Sequence, residues 1–266
     1  MHTRPIPRSG ELVPCIGLGT WNTFDVSHGE APRLRPVLDA FLAGGGRVID
    51  SSPMYGRAEA VAGRLLHGQP RAFVATKVWT SGRAEGIGQM ERSIALLGRV
   101  DLMQVHNLVD WRTHLATLRD WQRAGRVRYL GITHYAASAF TEMEQILREE
   151  HVDFIQLPYS AVTRGAEKRL LPAALDSGTA VLVMRPFEEG GLTGRLARRA
   201  LPGLAGELGC TSWPQLLLKF ILGHPAVTAP IPASANPAHV QDNLAAGSGR
   251  LPTPAECEEI ARAVRA

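Results

Sequence analysis

Four side chains in the first half of the chain could together move a proton onto a carbonyl oxygen: Asp50, Tyr55, Lys77 and His106. A free phenol titrates near pH 10, too high for an easy proton shuttle at neutral pH. A lysine ammonium beside it favours the phenolate and is expected to lower that value. A carboxylate would keep the ammonium charged and oriented, which is the part open to Asp50. An imidazole donating to the carbonyl oxygen would hold it beside Tyr55 while negative charge develops there. Lysine is scarce here, with Lys77, Lys168 and Lys219 the only three among 29 basic residues, so the position of each matters.

The elements needed to bring these four together are legible. Short apolar runs predict strands at Cys15–Thr20, Arg47–Asp50, Ala72–Lys77, Asp101–Val105, Val127–Ile132, Phe154–Leu157, Ala180–Met184 and Val227–Pro230. Helical periodicity falls between them, near Arg33–Ala43, Ala58–Leu66, Ile87–Leu97, Trp111–Ala124, Ser138–Glu149, Lys168–Ser177 and Trp213–Leu222. A last helix is expected over Pro254–Arg265, and Glu188–Gly209 reads as a long loop with a short helix. Strands alternating with helices imply a parallel sheet with crossover helices.

An open dinucleotide-binding sheet normally carries GxGxxG after its first strand. The nearest match, Gly17-Leu-Gly19-Thr-Trp-Asn22, lacks the third glycine. The expected fold is therefore α/β: an eight-stranded parallel (β/α)8 TIM barrel forming one domain over residues 1–266, with a short N-terminal segment and a C-terminal helix. A barrel of this kind takes about 250 residues, which this length matches. In such a barrel, chemistry sits at the C-terminal strand ends. Asp50 ends the second predicted strand, Lys77 the third, and His106 directly follows the fourth, with Tyr55 in the loop after Asp50.

Composition narrows the setting. The chain is 45% hydrophobic and 20% charged, as ordinary globular proteins are. No run reaches the roughly 18 apolar residues of a membrane span. The N-terminus has no apolar signal core. Cys15, Cys210 and Cys257 lie far apart without metal-like spacing, which fits a reducing cytoplasm and no metal site. The net charge of +4 comes from scattered arginines without interleaved aromatics, so no nucleic-acid partner is expected. Monomer is the default state.

The segment Gly46-Arg-Val-Ile-Asp50-Ser-Ser-Pro-Met-Tyr55-Gly-Arg-Ala-Glu59 resembles the strand-two signature of the aldo-keto reductase family, as a compact bacterial-type member. Lys77 in ATKV and His106 in QVHN resemble the rest of its catalytic tetrad. Similar stretches follow in order: Gly131-Ile-Thr-His-Tyr135, Phe154-Ile-Gln156, Pro186–Gly194 and Ile231-Pro-Ala-Ser-Ala-Asn-Pro. The resemblance implies hydride transfer from a nicotinamide cofactor to an aldehyde or ketone. Tyr55 would be the general acid, Asp50 and Lys77 its tuning pair, and His106 the residue orienting the carbonyl.

The same resemblance implies a cofactor site across the barrel mouth, with Gly19, Thr20, Gln156, Pro186, Phe187, Gly191 and Leu192 among its residues. It also marks departures. Thr133-His134 stands where the family commonly has Ser-Asn, and Met184 stands where a tyrosine often stacks on the nicotinamide. Arg185 reads either as a partner of the pyrophosphate or as a rim arginine facing a carboxylate. At the adenosine end, Ala233 and His239 replace the lysine and arginine of NADPH-preferring members, while Ser234 and Asn243 are retained. NADP(H) is expected on the resemblance, with NAD(H) open.

Trp21, Met54, Trp79, Asn107 and Trp111 are the expected substrate pocket. The absence of a long insertion after His106 implies an open mouth for bulky or varied carbonyl compounds. Two other readings remain at this point. One is a non-redox isomerase, cyclase or lyase using Tyr55 as acid or base, and the other is a cofactor-binding regulatory subunit.

Overall fold

The computed structural model describes residues 1–69 and 71–266. Eight parallel strands run in chain order around one sheet: β1 (Leu18–Gly19), β2 (Val48–Asp50), β3 (Phe73–Val78), β4 (Leu102–His106), β5 (Tyr129–Thr133), β6 (Phe154–Pro158), β7 (Ala180–Met184) and β8 (Val227–Pro230). Helices α1 (Arg35–Ala43), α2 (Ala58–Leu66), α3 (Arg83–Leu97), α4 (Trp111–Arg123), α5 (Phe140–Glu149) and α6 (Leu170–Asp176) form the first six crossovers. The sheet closes on itself between β1 and β8: Gly17 N–H donates to Pro230 O at 2.9 Å and Gly19 N–H to Pro232 O at 3.2 Å. A methyl group at Gly19 would stand 2.7 Å from the Ile231 carbonyl oxygen, so this seam requires glycine. The (β/α)8 barrel is therefore the fold.

Strand periodicity divides the core in two. Val48, Phe73, Leu102, Tyr129, Phe154 and Leu182 point into the barrel and pack as one buried cluster. Ile49, Val74, Met103, Leu130, Ile155 and Val183 point outward and meet the helices in a larger cluster. The two-residue period then decides what lies above the apolar floor. Two residues beyond Val48 is Asp50; two and four beyond Leu102 are Gln104 and His106; two beyond Phe154 is Gln156. Lys77 is likewise on the inner face of β3, four residues beyond Phe73. The floor is an aromatic cluster, with Phe73, Tyr129 and Phe154 ring centres 5.6–5.9 Å apart, Phe73 stacked on Tyr129 and Tyr129 edge-on to Phe154.

Several elements differ from expectation. β1 is two residues long rather than Cys15–Thr20, because its pairing ends where the seam glycines meet the turn after β8. The Glu188–Gly209 stretch carries two short helices, α7 (Gly191–Leu196) and α8 (Gly203–Glu207). They are followed by α9 (Trp213–Leu222), which is capped by Ser212 accepting the Gln215 N–H.

Helix α10 (Pro237–Ala245) was not anticipated from periodicity, since it buries only Val240, Asn243 and Leu244. Its start is nonetheless written in the chain, with Asn236 as N-cap and Pro237 in the first turn. The predicted C-terminal helix is α11 (Pro254–Arg265), opened by a reciprocal Thr253–Glu256 capping box. An antiparallel N-terminal hairpin, Thr3–Pro5 with Leu12–Pro14, adds Ile6 and Val13 to the barrel's inner cluster. No helix among the described residues is long and apolar enough to cross a membrane.

Candidate active site

Lys77 is fully buried at the end of β3. Its Nζ donates to Asp50 Oδ2 at 2.6 Å and to Ser51 O at 2.7 Å. The other carboxylate oxygen, Asp50 Oδ1, accepts from Gln156 Nε2 at 2.9 Å and from Gln104 Nε2 at 3.1 Å. Four strands thus contribute to one dry hydrogen-bonded layer just above the aromatic floor. An ion pair withdrawn from water is tolerable only when its remaining valences are met, and here the two glutamines meet them. Burial is the largest influence on Lys77 and opposes its charge, but Asp50 and Tyr55 together outweigh it and hold the ammonium above its ordinary titration range.

Tyr55 hangs over this layer from the turn after β2. Its N–H donates to Ser52 O at 3.0 Å, and the turn continues through Gly56 at φ 59°, against the Asp25 carboxylate. Lys77 Nζ lies 5.0 Å from the Tyr55 ring centre, and the His106 ring meets Tyr55 edge-on at 6.0 Å. Burial pushes the phenol above its usual value near 10, and the pull of Lys77 in the other direction is smaller. The expectation of a lowered Tyr55 pKa is thus reversed: the resting side chain is a protonated phenol, ready to give up its proton rather than take one. Burial, and then the Lys77 charge, depress His106 to about 2, so its imidazole is neutral.

Tyr55, His106 and Asp50 open onto a cavity of about 830 Å³ at the C-terminal mouth of the barrel. This is within the range of small-molecule sites. Trp21, Met54 and Asn107 line one part of it. A trough continuing from it is lined by Gly19, Thr20, Gln156, Met184, Arg185, Pro186 and Phe187, and by Ala233, Ser234, His239 and Asn243 on and before α10.

Other expected residues stand apart from the lining. Trp111 is buried at the start of α4 with its indole N–H donated to Glu142 Oε1 at 3.1 Å, so it faces α5. Trp79 is 43% exposed just past β3, its backbone clasped by Gln89. Gly191 and Leu192 belong to α7, where Leu192 is buried in the helix layer. His134 accepts the Ala136 N–H at 3.0 Å and stacks on Tyr135, while Thr133 is buried beside it. Arg185, which does line the cavity, pairs with Glu189 at 2.8 Å.

Three contributors escaped sequence reading. Gln104 was a polar residue inside an apolar strand, and only its even spacing from His106 signalled a shared inner face. Tyr135 lines the cavity from a loop, at the end of the Gly131–Tyr135 stretch but with no role attached to it, and Asp242 lines it from α10, where no motif marks it.

The trough has features suited to an extended polar ligand. On its lining, Arg185 Nε and Asn107 Oδ1 are buried without hydrogen-bond partners, and Thr133 Oγ1, outside the lining, is buried without one as well. Arg185, Glu188, Glu189 and Gly190 all have left-handed backbone, so the chain arches along the rim. Unmet polar atoms of this kind call for an explanation, and a bound ligand supplies one.

Comparison with known proteins decides the relationship. The model of the "Aldo/keto reductase family" matches residues 15–264. The chain belongs to that family. This aldo/keto reductase is an enzyme, an oxidoreductase of aldehyde and ketone carbonyls that works with a nicotinamide cofactor. It is 28% identical over 259 residues to methylglyoxal reductase YeaE of Escherichia coli, covering 92% of this chain and 89% of that one. It is 26% identical over 242 residues to the NADH-specific methylglyoxal reductase of the same organism, covering 76% and 72%. Among solved structures, an aldo-keto reductase from Klebsiella pneumoniae in complex with NADPH is 25% identical, with a TM-score of 0.84 over 99% of this chain and 96% of that one.

Proposed function

We propose that this aldo/keto reductase reduces aldehydes and ketones of varied size, α-oxoaldehydes included, with Tyr55 as proton donor and His106 as carbonyl-orienting residue. The observation carrying this is the placement of a protonated phenol and a neutral imidazole on one cavity wall, above a charged Lys77–Asp50 pair. Trp21 and Met54, each 41% exposed at the rim, leave the mouth open to bulky groups.

Gln156, Met184, Arg185, Pro186 and Phe187 would hold the nicotinamide half of the cofactor, and Ser234, His239 and Asn243 its adenosine half. When bound in its reduced form, the cofactor supplies the hydride that the carbonyl carbon receives. His106 holds the carbonyl oxygen by a hydrogen bond. Tyr55 passes its phenolic proton to that oxygen as negative charge gathers there. Lys77 stabilises the phenolate left behind, and Asp50 with its two glutamine donors keeps Lys77 charged and in place.

NADP(H) is the proposed cofactor, held loosely enough at its 2′-phosphate for NAD(H) to serve as well. The end of the trough offers His239 and Ser234 for that phosphate, and Ser234 is already engaged by the Asn236 backbone. The Asp242 carboxylate, held by Ser212 and Gln215, lies on the same wall. Relatives support both cofactors, one Klebsiella structure holding NADPH and one E. coli relative being named NADH-specific. A cytoplasmic, single-domain monomer acting on small molecules goes with this reading.

Titration with NADPH and with NADH, followed by tryptophan quenching, is the direct test, together with turnover of methylglyoxal and of a bulky aromatic aldehyde. Binding of either cofactor and reduction of both aldehydes is the expected result. Failure of both cofactors to bind at millimolar concentration ends the reductase reading, and turnover confined to the smallest aldehydes ends the open-mouth reading.

A further inference from the structure

The neutral His106 ring carries one N–H, and the chemistry depends on which nitrogen bears it. With the proton on the nitrogen facing the cavity, the ring donates to a carbonyl oxygen. With the proton on the inner nitrogen, the ring offers that oxygen only a repelling lone pair.

The inner nitrogen has a specific partner. Ser52 is fully buried in the loop between Asp50 and Tyr55, and its Oγ lies 3.0 Å from His106 Nδ1. The same Oγ accepts the backbone N–H of Met54 at 3.3 Å. A serine hydroxyl has one proton to give. Among the described residues, His106 Nδ1 is the one acceptor within hydrogen-bonding reach of Ser52 Oγ. If Nδ1 were protonated, its N–H would point at Oγ and the proton of the fully buried serine would have no protein acceptor within reach. If Ser52 donates to Nδ1, every donor in the triangle of Met54 N, Ser52 Oγ and His106 Nδ1 has an acceptor.

We propose that Ser52 is a positioning residue that fixes His106 as the Nε2–H tautomer, so that the imidazole presents a donor to the substrate oxygen. The inference rests on the reading of His106 as the carbonyl-orienting residue. Ser52 also anchors the proton donor, because its carbonyl accepts the Tyr55 N–H at 3.0 Å. One residue therefore sets the tautomer of the orienting residue through its side chain and the start of the Tyr55 turn through its backbone. A Ser52→Ala change removes the first role and leaves the second.

The test uses the whole protein labelled with 15N-histidine. Long-range 15N–1H correlation spectra distinguish the two tautomers, and His106→Gln identifies the His106 signals among the nine histidines. Wild type is expected to show a protonated Nε2 and a bare Nδ1. Ser52→Ala is expected to show a tautomer mixture and a kcat about 10- to 100-fold lower with KM little changed, by analogy with the loss when the orienting partner of a metal-ligating histidine is removed. Ser52→Thr, which keeps the hydroxyl, should restore both readouts.

A wild-type ring protonated on Nδ1 overturns the proposal. So does an unaltered Nε2–H signal in Ser52→Ala, whatever its kcat. If the spectra behave as expected but wild type reduces no carbonyl compound, the tautomer assignment stands and the functional reading of the site falls.

Discussion

The Lys77 ammonium stands 5.0 Å from the centre of the Tyr55 ring, close enough to favour the phenolate but too weak to overcome the burial of the phenol. Tyr55 therefore rests protonated and Lys77 acts at the moment the proton leaves. Tyr55→Phe removes the donor and keeps the packing of the ring. We expect kcat for aldehyde reduction to fall by about 10²–10⁴-fold, the usual worth of a placed general acid. Cofactor affinity and melting temperature should stay near wild type, as steady-state kinetics, quenching titration and calorimetry would show.

The direction of the Tyr55 shift also fixes the pH dependence. Reduction uses the phenol, and a pKa raised above 10 leaves it protonated across the neutral and mildly alkaline range. The kcat for reduction should stay flat up to about pH 10 and decline only beyond it. Oxidation of the product alcohol uses the phenolate and should climb over the same interval. A reductive profile already falling at pH 8 would contradict the assignment.

Lys77 and Asp50 should be coupled in stability as well as in chemistry. Removing one member of a buried pair leaves an uncompensated charge, which costs about 3–5 kcal/mol. Asp50→Asn and Lys77→Met should each lower the unfolding free energy by roughly that amount. The double variant should lose clearly less than the two losses combined. Denaturant titrations of the four proteins close the cycle, and simple additivity would mean that the 2.6 Å contact carries no coupling.

Acid stability should report on His106. In the unfolded chain this histidine titrates near its ordinary 6.5, whereas burial and Lys77 hold the folded form down to about 2. Below pH 6.5 the unfolded state binds a proton that the folded state refuses, so stability falls as pH drops from 6.5 towards 2. The slope from this one group is about 1.4 kcal/mol per pH unit. His106→Gln lacks it. The unfolding free energy of wild type should fall relative to the variant by about that amount between about pH 5.5 and 4.5.

The far end of the trough offers a gain-of-function test. Ala233→Lys with His239→Arg places two cations where the wall now has a methyl group and an imidazole. A charge-assisted hydrogen bond is worth about 1.5–3 kcal/mol, so NADPH affinity should rise at least about 10-fold while NADH affinity changes little. The ratio of the two dissociation constants measures this directly.

Asp50, Lys77 and His106 were legible as a set because each closes an apolar strand. In a parallel barrel all strand ends of one sense share a face. The glycines and apolar runs of the eight strands likewise sufficed for the barrel, and the motifs around Asp50 and Tyr55 pointed to the family. What remained hidden depended on side-chain direction. Trp79 and Trp111 lie near the mouth in sequence, but one stands on the exposed rim and the other turns its indole to Glu142, outcomes set by how each loop leaves its strand.

Ser52 and Gln104 are unremarkable polar residues until the curled sheet brings their strands or loops against His106 and Asp50. The protonation state of Tyr55 was the sharpest case. Chemistry alone set a lysine beside a phenol and implied a lowered pKa. Only the packed structure shows how much water is excluded, and desolvation reverses the sign. Residue types and their spacing determined which groups meet at the barrel mouth. The tertiary structure decided which of them are dry, which are paired and which way each one points, because burial and distance are properties of the closed barrel and not of the chain.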